Sequence, residues 1–405
     1  MTVSFLTFQL LKENKFWATL ILVVFCIQLV YFEGGGISPI KVSIMAICPL
    51  IFLYKVPLIS PAFFWSILYF ISCLLISLLH SQIRFSTIGY LGLFIVMYIT
   101  YYNLIYSKSF SLNYFIKLVR ILIISFGICL LLQQISILIG LRNLPFINLV
   151  GQPFLAIDKL PSLTIEPSHS ARILTPLMFA YIKGNELKSN TILKLSQLFI
   201  HEHKWTTYCF LWSMLTMGSG TAFIGLGILS IYFITKRNLI YAIPCFLLLL
   251  SIGEMIELKQ LKRATNLLEA TILSGDVEVM HDTEGSGAIR IIPVVNTFTD
   301  IDLFNSETWL GKGTQTKEYA ADFWKRTTDK IVIVEQYGLI SFIISLFLVF
   351  RCAIRRFFSI ETLIFIGLIS MTISNIYYGW TIMMIFTTIK YFNSLHKSTL
   401  VGTLN

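Results

Sequence analysis

The stretch Thr164-Ile-Glu-Pro-Ser-His-Ser-Ala-Arg172 gathers a carboxylate, an imidazole, three hydroxyls and a guanidinium within one short segment. Glu166 can serve as a general base, with His169 as its substitute. Arg172 can grip an anion through paired hydrogen bonds and cannot lose its charge. A purely structural reading of the same string exists: Pro167 in a first helical turn, Ser168 at the cap, and an acid just before a helix N-terminus. That reading leaves Arg172 unexplained. About one turn into an apolar segment, an ionisable residue costs several kcal/mol unless it faces a polar cavity or a partner. Glu166, His169 and Arg172 are therefore read as lining one cavity, with Ser168 beside them.

Arg290 is the second cationic candidate. It either pairs on the surface with Glu284 or Asp300, or reaches the same cavity and binds phosphate. Gly311-Lys312-Gly313 closes the same long segment; its backbone N–H groups can approach an anion or a sugar, or the pair of glycines simply turns the chain. Glu335, at the end of an apolar run, either neutralises one of the arginines or sits at the interface. Lys41 is expected to snorkel outward. The histidines form no metal set, the lone Asp300-Ile-Asp302 spacing is weak ground for one, and no phosphate-binding loop of the G-x-x-x-x-G-K-S/T kind is present.

These residues must be positioned by membrane helices. Of 405 residues 56% are hydrophobic and 13% charged, with mean hydropathy +0.77, and the apolar residues fall in blocks of about 15 to 25, the length that crosses a hydrocarbon core as helix. The expected fold is all-α: a polytopic transmembrane helical bundle of about 11–12 spans with a large external (periplasmic) loop domain. The spans lie near 16–32, 38–54, 60–79, 88–106, 117–140, 168–184, 205–217, 221–235, 238–253, 331–350, 359–376 and 378–392. The turn at Gly218-Ser219-Gly220 is either tight or a break within the membrane, and Asn375 to Gly379 joins the last two blocks as a shallow hairpin.

The chain divides into N-terminal helices over 1–140, a short periplasmic loop over 141–167, central helices over 168–253, a large periplasmic loop over 254–330 and C-terminal helices over 331–405. Lys and Arg collect in alternate loops, which puts the N-terminus inside and both long loops outside. The net charge of +10 is then a topology signal facing anionic headgroups, and calls for no nucleic-acid partner. The first apolar block ends in Glu33-Gly-Gly-Gly and reads as a retained span. The seven cysteines fall in spans or at a cytoplasmic end, which indicates no disulfide framework.

This layout resembles the bacterial O-antigen polymerases of the Wzy type. The likeness rests on the span count, the short external loop ending in Glu166-Pro-Ser before the sixth span, and Ser219-Gly-Thr opening a helix. It rests also on the large late loop carrying Arg290 before Trp309-Leu-Gly-Lys-Gly, and on Glu335-Gln-Tyr-Gly-Leu-Ile at the start of the next span. It runs over essentially the whole chain.

What the resemblance implies is a GT-C-like glycosyltransferase in the bacterial inner (cytoplasmic) membrane, its active site facing the periplasm. It would transfer a growing glycan from an undecaprenyl diphosphate carrier to a lipid-linked repeat unit. Glu166, Arg172 and Arg290 would be catalytic, and Ser168, His169, Gly311, Lys312, Gly313 and Glu335 substrate-binding, with no metal or cofactor needed if arginines hold the diphosphate. The implied partners are the lipid-linked donor and acceptor, membrane lipid and a polysaccharide chain-length regulator.

The alternatives are an O-antigen ligase of the same superfamily and a lipid-linked oligosaccharide transporter or flippase. Ligases carry a histidine in the late loop close to the following span. Residues 328–335 have none, which favours the polymerase. Gly220 stands where many relatives carry arginine. A transporter would show internal repeats and midplane charges, and neither is evident.

Overall fold

Long runs of Leu, Ile, Phe and Val without water to satisfy the backbone have one local solution, the helix, which closes its hydrogen bonds within the segment. The computed structural model describes residues 2–28, 38–54, 59–80, 83–141, 159–234, 293–299, 301–314 and 330–402. Among them every regular element is helical. The chain runs through α1 (Thr2–Cys26), α2 (Pro39–Tyr54), α3 (Pro61–Leu79), α4 (Phe85–Tyr106), α5 (Leu112–Leu138) and α6 (Pro167–Ser189). It continues with the single turn α7 (Leu195–Leu198), a 3₁₀ turn over His201–His203, α8 (Lys204–Thr216) and α9 (Gly220–Phe233). After a helical stretch over 293–299 come α10 (Ser306–Leu310), α11 (Val332–Cys352), α12 (Ile360–Ile369) and α13 (Tyr377–Gly402).

Four described helices, α3, α4, α5 and α11, are long and apolar enough to cross a membrane. They surround a centre that is less apolar. α6 is buried over nearly its whole length, and α13 is buried from Gly379 to Ile389. α6 packs against α5, α9 and α13, and α13 against α4 and α1 as well. Because these two helices meet protein on most sides, their polar residues need protein partners. Tyr98 and Tyr101 on α4 pair with Thr387 and Thr388 on α13, each at 2.8 Å, and Thr381 donates to the Phe25 carbonyl at 3.0 Å. The enclosing helices instead turn apolar residues outward. On α3, Phe64, Ile71, Leu75, Leu78 and Leu79 are exposed, a face whose natural solvent is lipid.

Several boundaries depart from those expected. α1 begins well before the apolar block at 16–32, and α6 begins at Pro167, whose fixed φ suits the first helical position, so the cap is Glu166 and not Ser168. The Gly218 region is a turn, with Gly218 at φ +73, that sends α9 back beside α8. The last two blocks are unequal: α12 has 10 residues and α13 has 26. The block at 238–253 lies outside the described residues, as does most of the segment 254–330. What is described of that segment packs on the bundle, α10 lying against α11.

That contact is made by glycines. α11 is kinked at Gly338, at φ +68, and a Cβ there would sit 2.1 Å from the Trp309 carbonyl oxygen. Gly311, at φ +67, meets the Gln336 and Gly338 backbone in the same way. A left-handed, nonhelical residue inside a helix is tolerated at little cost only where it is glycine. Gly338→Ala is expected to cost at least about 2 kcal/mol, from the strained φ and the forced separation of the two backbones. Gly89→Ala on α4, where nothing lies within 4 Å of the added carbon, should be neutral or stabilising by up to about 1 kcal/mol. Melting midpoints of the two variants in detergent check the contrast.

Candidate functional site

Segment 160–166 is irregular backbone that is nonetheless fixed. Ser162 adopts φ +55, and Gln133 on α5 satisfies it twice: Nε2 donates to the Ser162 carbonyl at 3.0 Å and Oε1 accepts its N–H at 2.9 Å. The Ser162 hydroxyl donates to the Phe126 carbonyl at 2.7 Å, and the Gln28 N–H to the Leu163 carbonyl at 2.9 Å. The Thr164 hydroxyl donates to the Glu166 carbonyl at 2.8 Å. Leu160, Ser162 and Thr164 are buried. The chain is thus held until Glu166, whose side chain is 61% exposed.

Glu166 occupies the N-cap of α6 in an extended conformation, and its carboxylate makes no capping bond. The Ser168 hydroxyl donates to Oε2 at 3.2 Å, and His169 Nε2 lies 3.8 Å from the same oxygen. The other ring nitrogen of His169, Nδ1, is 3.2 Å from the Tyr377 hydroxyl. A phenol donating to Nδ1 leaves the imidazole proton on Nε2, facing the carboxylate. Ser168 and His169 thus flank the Glu166 carboxylate, which is the exposed group of the cluster.

Tyr377 and Tyr378 open α13 after seven residues of irregular chain, Ser370 to Ile376, that begin with Ser370 and Met371 at φ +49 and +58. Asn375 Nδ2 donates to the Thr87 carbonyl at 2.9 Å and Trp380 Nε1 to the Ser374 carbonyl at 2.8 Å, which fix this stretch between α4 and α13. The two tyrosine rings carry cations. Arg172 Cζ lies 4.4 Å from the Tyr378 centroid, with His169 at 5.0 Å from the same ring. Lys41 Nζ lies 3.4 Å from the Tyr377 centroid. Lys41 does not snorkel: it is 3% exposed, because α1, α2 and α13 enclose it.

The third residues of α2 and α6 thus meet the first residues of α13. Each helix N-terminus carries roughly half a positive charge, so three partial charges add to those of Arg172 and Lys41. The arrangement gathers positive potential at one junction, with the exposed Glu166 carboxylate joined to it through His169. Tyr377 and Tyr378 are not singled out by the sequence, and Lys41 is read there only as a snorkelling lysine. A lysine within an apolar block and an aromatic pair at a break between blocks were the available signals.

The remaining candidates lie elsewhere. Gly311, Lys312 and Gly313 form a second cluster with α11: their N–H groups donate to the carbonyls of Glu307, Glu335 and Gln336 at 2.8, 2.7 and 3.1 Å. These donors are therefore engaged by protein and cannot also cradle an anion in this arrangement. The turn reading of the two glycines is the one the geometry follows. The Lys312 side chain is exposed, and Glu335 sits in the first turn of α11. The α3–α4 connection completes the cluster, with His80 against Gly313 and the Arg84 N–H donating to Thr314 Oγ1 at 3.0 Å. Arg290 lies outside the described residues.

At the opposite end of α6 a cleft of about 420 Å³ is lined by Lys183, Glu186, Arg355, Asn393 and His396 among others. Buried Glu186 accepts from Lys183 at 2.7 Å, from the Tyr232 hydroxyl at 2.7 Å and from the Leu193 N–H at 3.1 Å. Arg355 Nε donates to Glu361 at 2.5 Å. The first group joins α6 to α9, and Arg355, which also donates to Asn393 at 3.4 Å, joins α12 to α13. Nearby, the Tyr181 hydroxyl lies 2.8 Å from His203 Nδ1, and burial holds the His203 imidazole below its ordinary value of 6.5.

No protein-family model, curated protein or solved structure matches this chain.

Two outcomes are expected. Gln133→Leu leaves the Ser162 N–H and C=O buried and unsatisfied, at about 1–3 kcal/mol each; hydrogen–deuterium exchange over 160–166 should accelerate while that of α4 stays unchanged. The lowered His203 value means the unfolded chain binds its proton first as pH falls. The stability it contributes is present above pH 6.5 and is lost as pH drops below that toward the folded value. The melting midpoint should fall between pH 7.5 and 5.5, and less steeply in His203→Gln.

Proposed function

We propose that this protein is a membrane glycosyltransferase that polymerises an O-antigen or related surface polysaccharide, in keeping with the Wzy-type resemblance. The observation that carries the reading is the meeting of three helix N-termini, Arg172 and Lys41 at one tyrosine pair, with the exposed carboxylate of Glu166 joined to it through His169. Transfer from a lipid diphosphate needs these two things together: positive charge where the leaving group develops its own, and a base for the acceptor.

In the proposed step the acceptor hydroxyl oxygen attacks the anomeric carbon of the donor glycan. The bond from that carbon to the diphosphate oxygen breaks, and its electron pair stays on the undecaprenyl diphosphate, held by Arg172 and Arg290. The acceptor's proton passes to Glu166, which His169 and Ser168 keep in place. The donor and acceptor are both lipid-linked, which suits a site among helices of this length. The lysine and arginine asymmetry supports an orientation with the Glu166 end on the outer side; the inner membrane of a bacterium and a chain-length regulator as partner follow from the resemblance alone. The binding role given to Gly311 and Gly313 by resemblance becomes a positioning one, since they fix the late loop on α11.

The test is a gel ladder of surface polysaccharide from cells deleted for this protein and complemented with wild type, Glu166→Gln, Arg172→Ala or Arg290→Ala at matched expression. Loss of the ladder with one repeat unit still on lipid A core is expected for the deletion. Glu166→Gln should lower transfer by about 10² to 10⁴, and the arginine variants by about 10² to 10³. Full-length polymer accumulating on the lipid carrier above a bare core would replace the reading with a ligase. Absence of any externally accessible repeat unit would replace it with a flippase.

A further inference from the structure

Lys41 is the least explained charge in the described bundle. It sits in the first turn of α2, is 3% exposed, and its Nζ has no hydrogen-bond partner among the described residues. Its close neighbours are the faces of two rings, Tyr377 at 3.4 Å and Phe25 at 5.9 Å. A cation–π contact offsets only part of the cost of burying an ammonium. Stripping the ion of water costs more than the ring faces return, and its three hydrogen-bond donors remain unmet among the described residues. The α2 N-terminus adds positive potential to the same place, so the helix ends raise the cost instead of lowering it.

Arg172 has a related deficit. Its Nε is buried without a hydrogen-bond partner among the described residues, and its guanidinium stacks on Tyr378, the ring next to that carrying Lys41. The adjacent rings, 5.5 Å apart between centroids, therefore form a shared base with one under-satisfied cation on each. Burying one unpaired donor is a local imperfection; two at one junction, beside three helix N-termini, supply the donors and the positive potential that an anion would use.

We propose that Lys41 is an anion-binding residue of this site and that, with Arg172, it receives the two phosphoryl groups of a diphosphate. This rests on the proposed transferase reading for the identity of the anion as a leaving group, and on the geometry alone for the presence of a diphosphate site. An ammonium suits a phosphoryl group as a point charge with rotatable donors, where the guanidinium fixes orientation through its planar fork. Tyr377 couples the two roles of the site. Its ring supports Lys41, and its hydroxyl lies on His169, which faces Glu166.

The test uses the purified full-length protein in detergent, with inorganic diphosphate and farnesyl diphosphate as probes and sulfate as the anion control. Lys41→Met keeps the side-chain length and removes the charge. If Lys41 serves the ligand, the variant should melt at or above the wild-type temperature without ligand, and its affinity for diphosphate should fall at least tenfold. Lys41→Arg should recover part of that affinity. Arg172→Ala should lose binding in parallel.

If Lys41→Met melts lower and binds diphosphate as wild type does, the residue is a structural cation and the inference is overturned, while the transferase reading stands on Arg172. If wild type binds neither probe more tightly than sulfate, the diphosphate site and the transferase reading fall together. Tighter binding of farnesyl diphosphate than of inorganic diphosphate identifies the lipid-linked form as the source. Equal binding identifies a soluble diphosphate, which keeps the site and withdraws the lipid-linked donor.

Discussion

A chain surrounded by hydrocarbon has no water to accept a stray N–H or C=O, and this structure is organised by where it departs from the helix under that constraint. Two irregular stretches, 160–166 and 370–376, run through the interior between helices. Each is held by side chains placed for the purpose: Gln133 reads both backbone groups of Ser162, and Asn375 and Trp380 tie the second stretch to α4 and to itself. The consequence is positional. Each stretch ends at a helix N-terminus, and the two N-termini meet where His169 touches Tyr377. The backbone's need for partners and the location of the site are one fact.

Charge follows the same logic. At one end of α6, Glu186 and Lys183 satisfy each other within a network that also engages Tyr232 and the Leu193 N–H. At the other end Arg172 and Lys41 rest on aromatic faces and keep donor atoms without acceptors among the described residues. Ring faces offer a cation attraction without saturating its hydrogen bonds, so they can hold it in place and leave it able to bind. The closed network stabilises; the open one is suited to exchange its partner. This contrast between the two ends of α6 is what the proposed site rests on.

Much of this was legible in the sequence. The apolar blocks gave the helices because their length and lack of charge leave few alternatives, and Glu166, Ser168, His169 and Arg172 were found together because they lie within one helical turn or two of each other. What escaped was produced by tertiary contact. The snorkelling expected of Lys41 is sound for a lysine near a helix end with lipid beside it, and fails here because α1 and α13 enclose that end. Tyr377 and Tyr378 read in the sequence only as part of a hairpin, because their contacts come from residues more than two hundred positions away. The glycines of Trp309-Leu-Gly-Lys-Gly carried a conformational signal that fitted both an anion nest and a turn, and only the kink at Gly338 decides between them.

That kink also bears on how the molecule can move. At Gly311 and Gly338 two main chains touch directly, with no side chain between them to rotate aside. A joint of this kind behaves as a rivet. It has no rotamers through which a displacement can be absorbed, so a shift of α10 must carry the first turn of α11, and α11 is packed along α3. His80 and Arg84, at the far end of α3, are fastened to the same piece. Residues 306–314, the α3–α4 corner and the head of α11 therefore form one mechanical body.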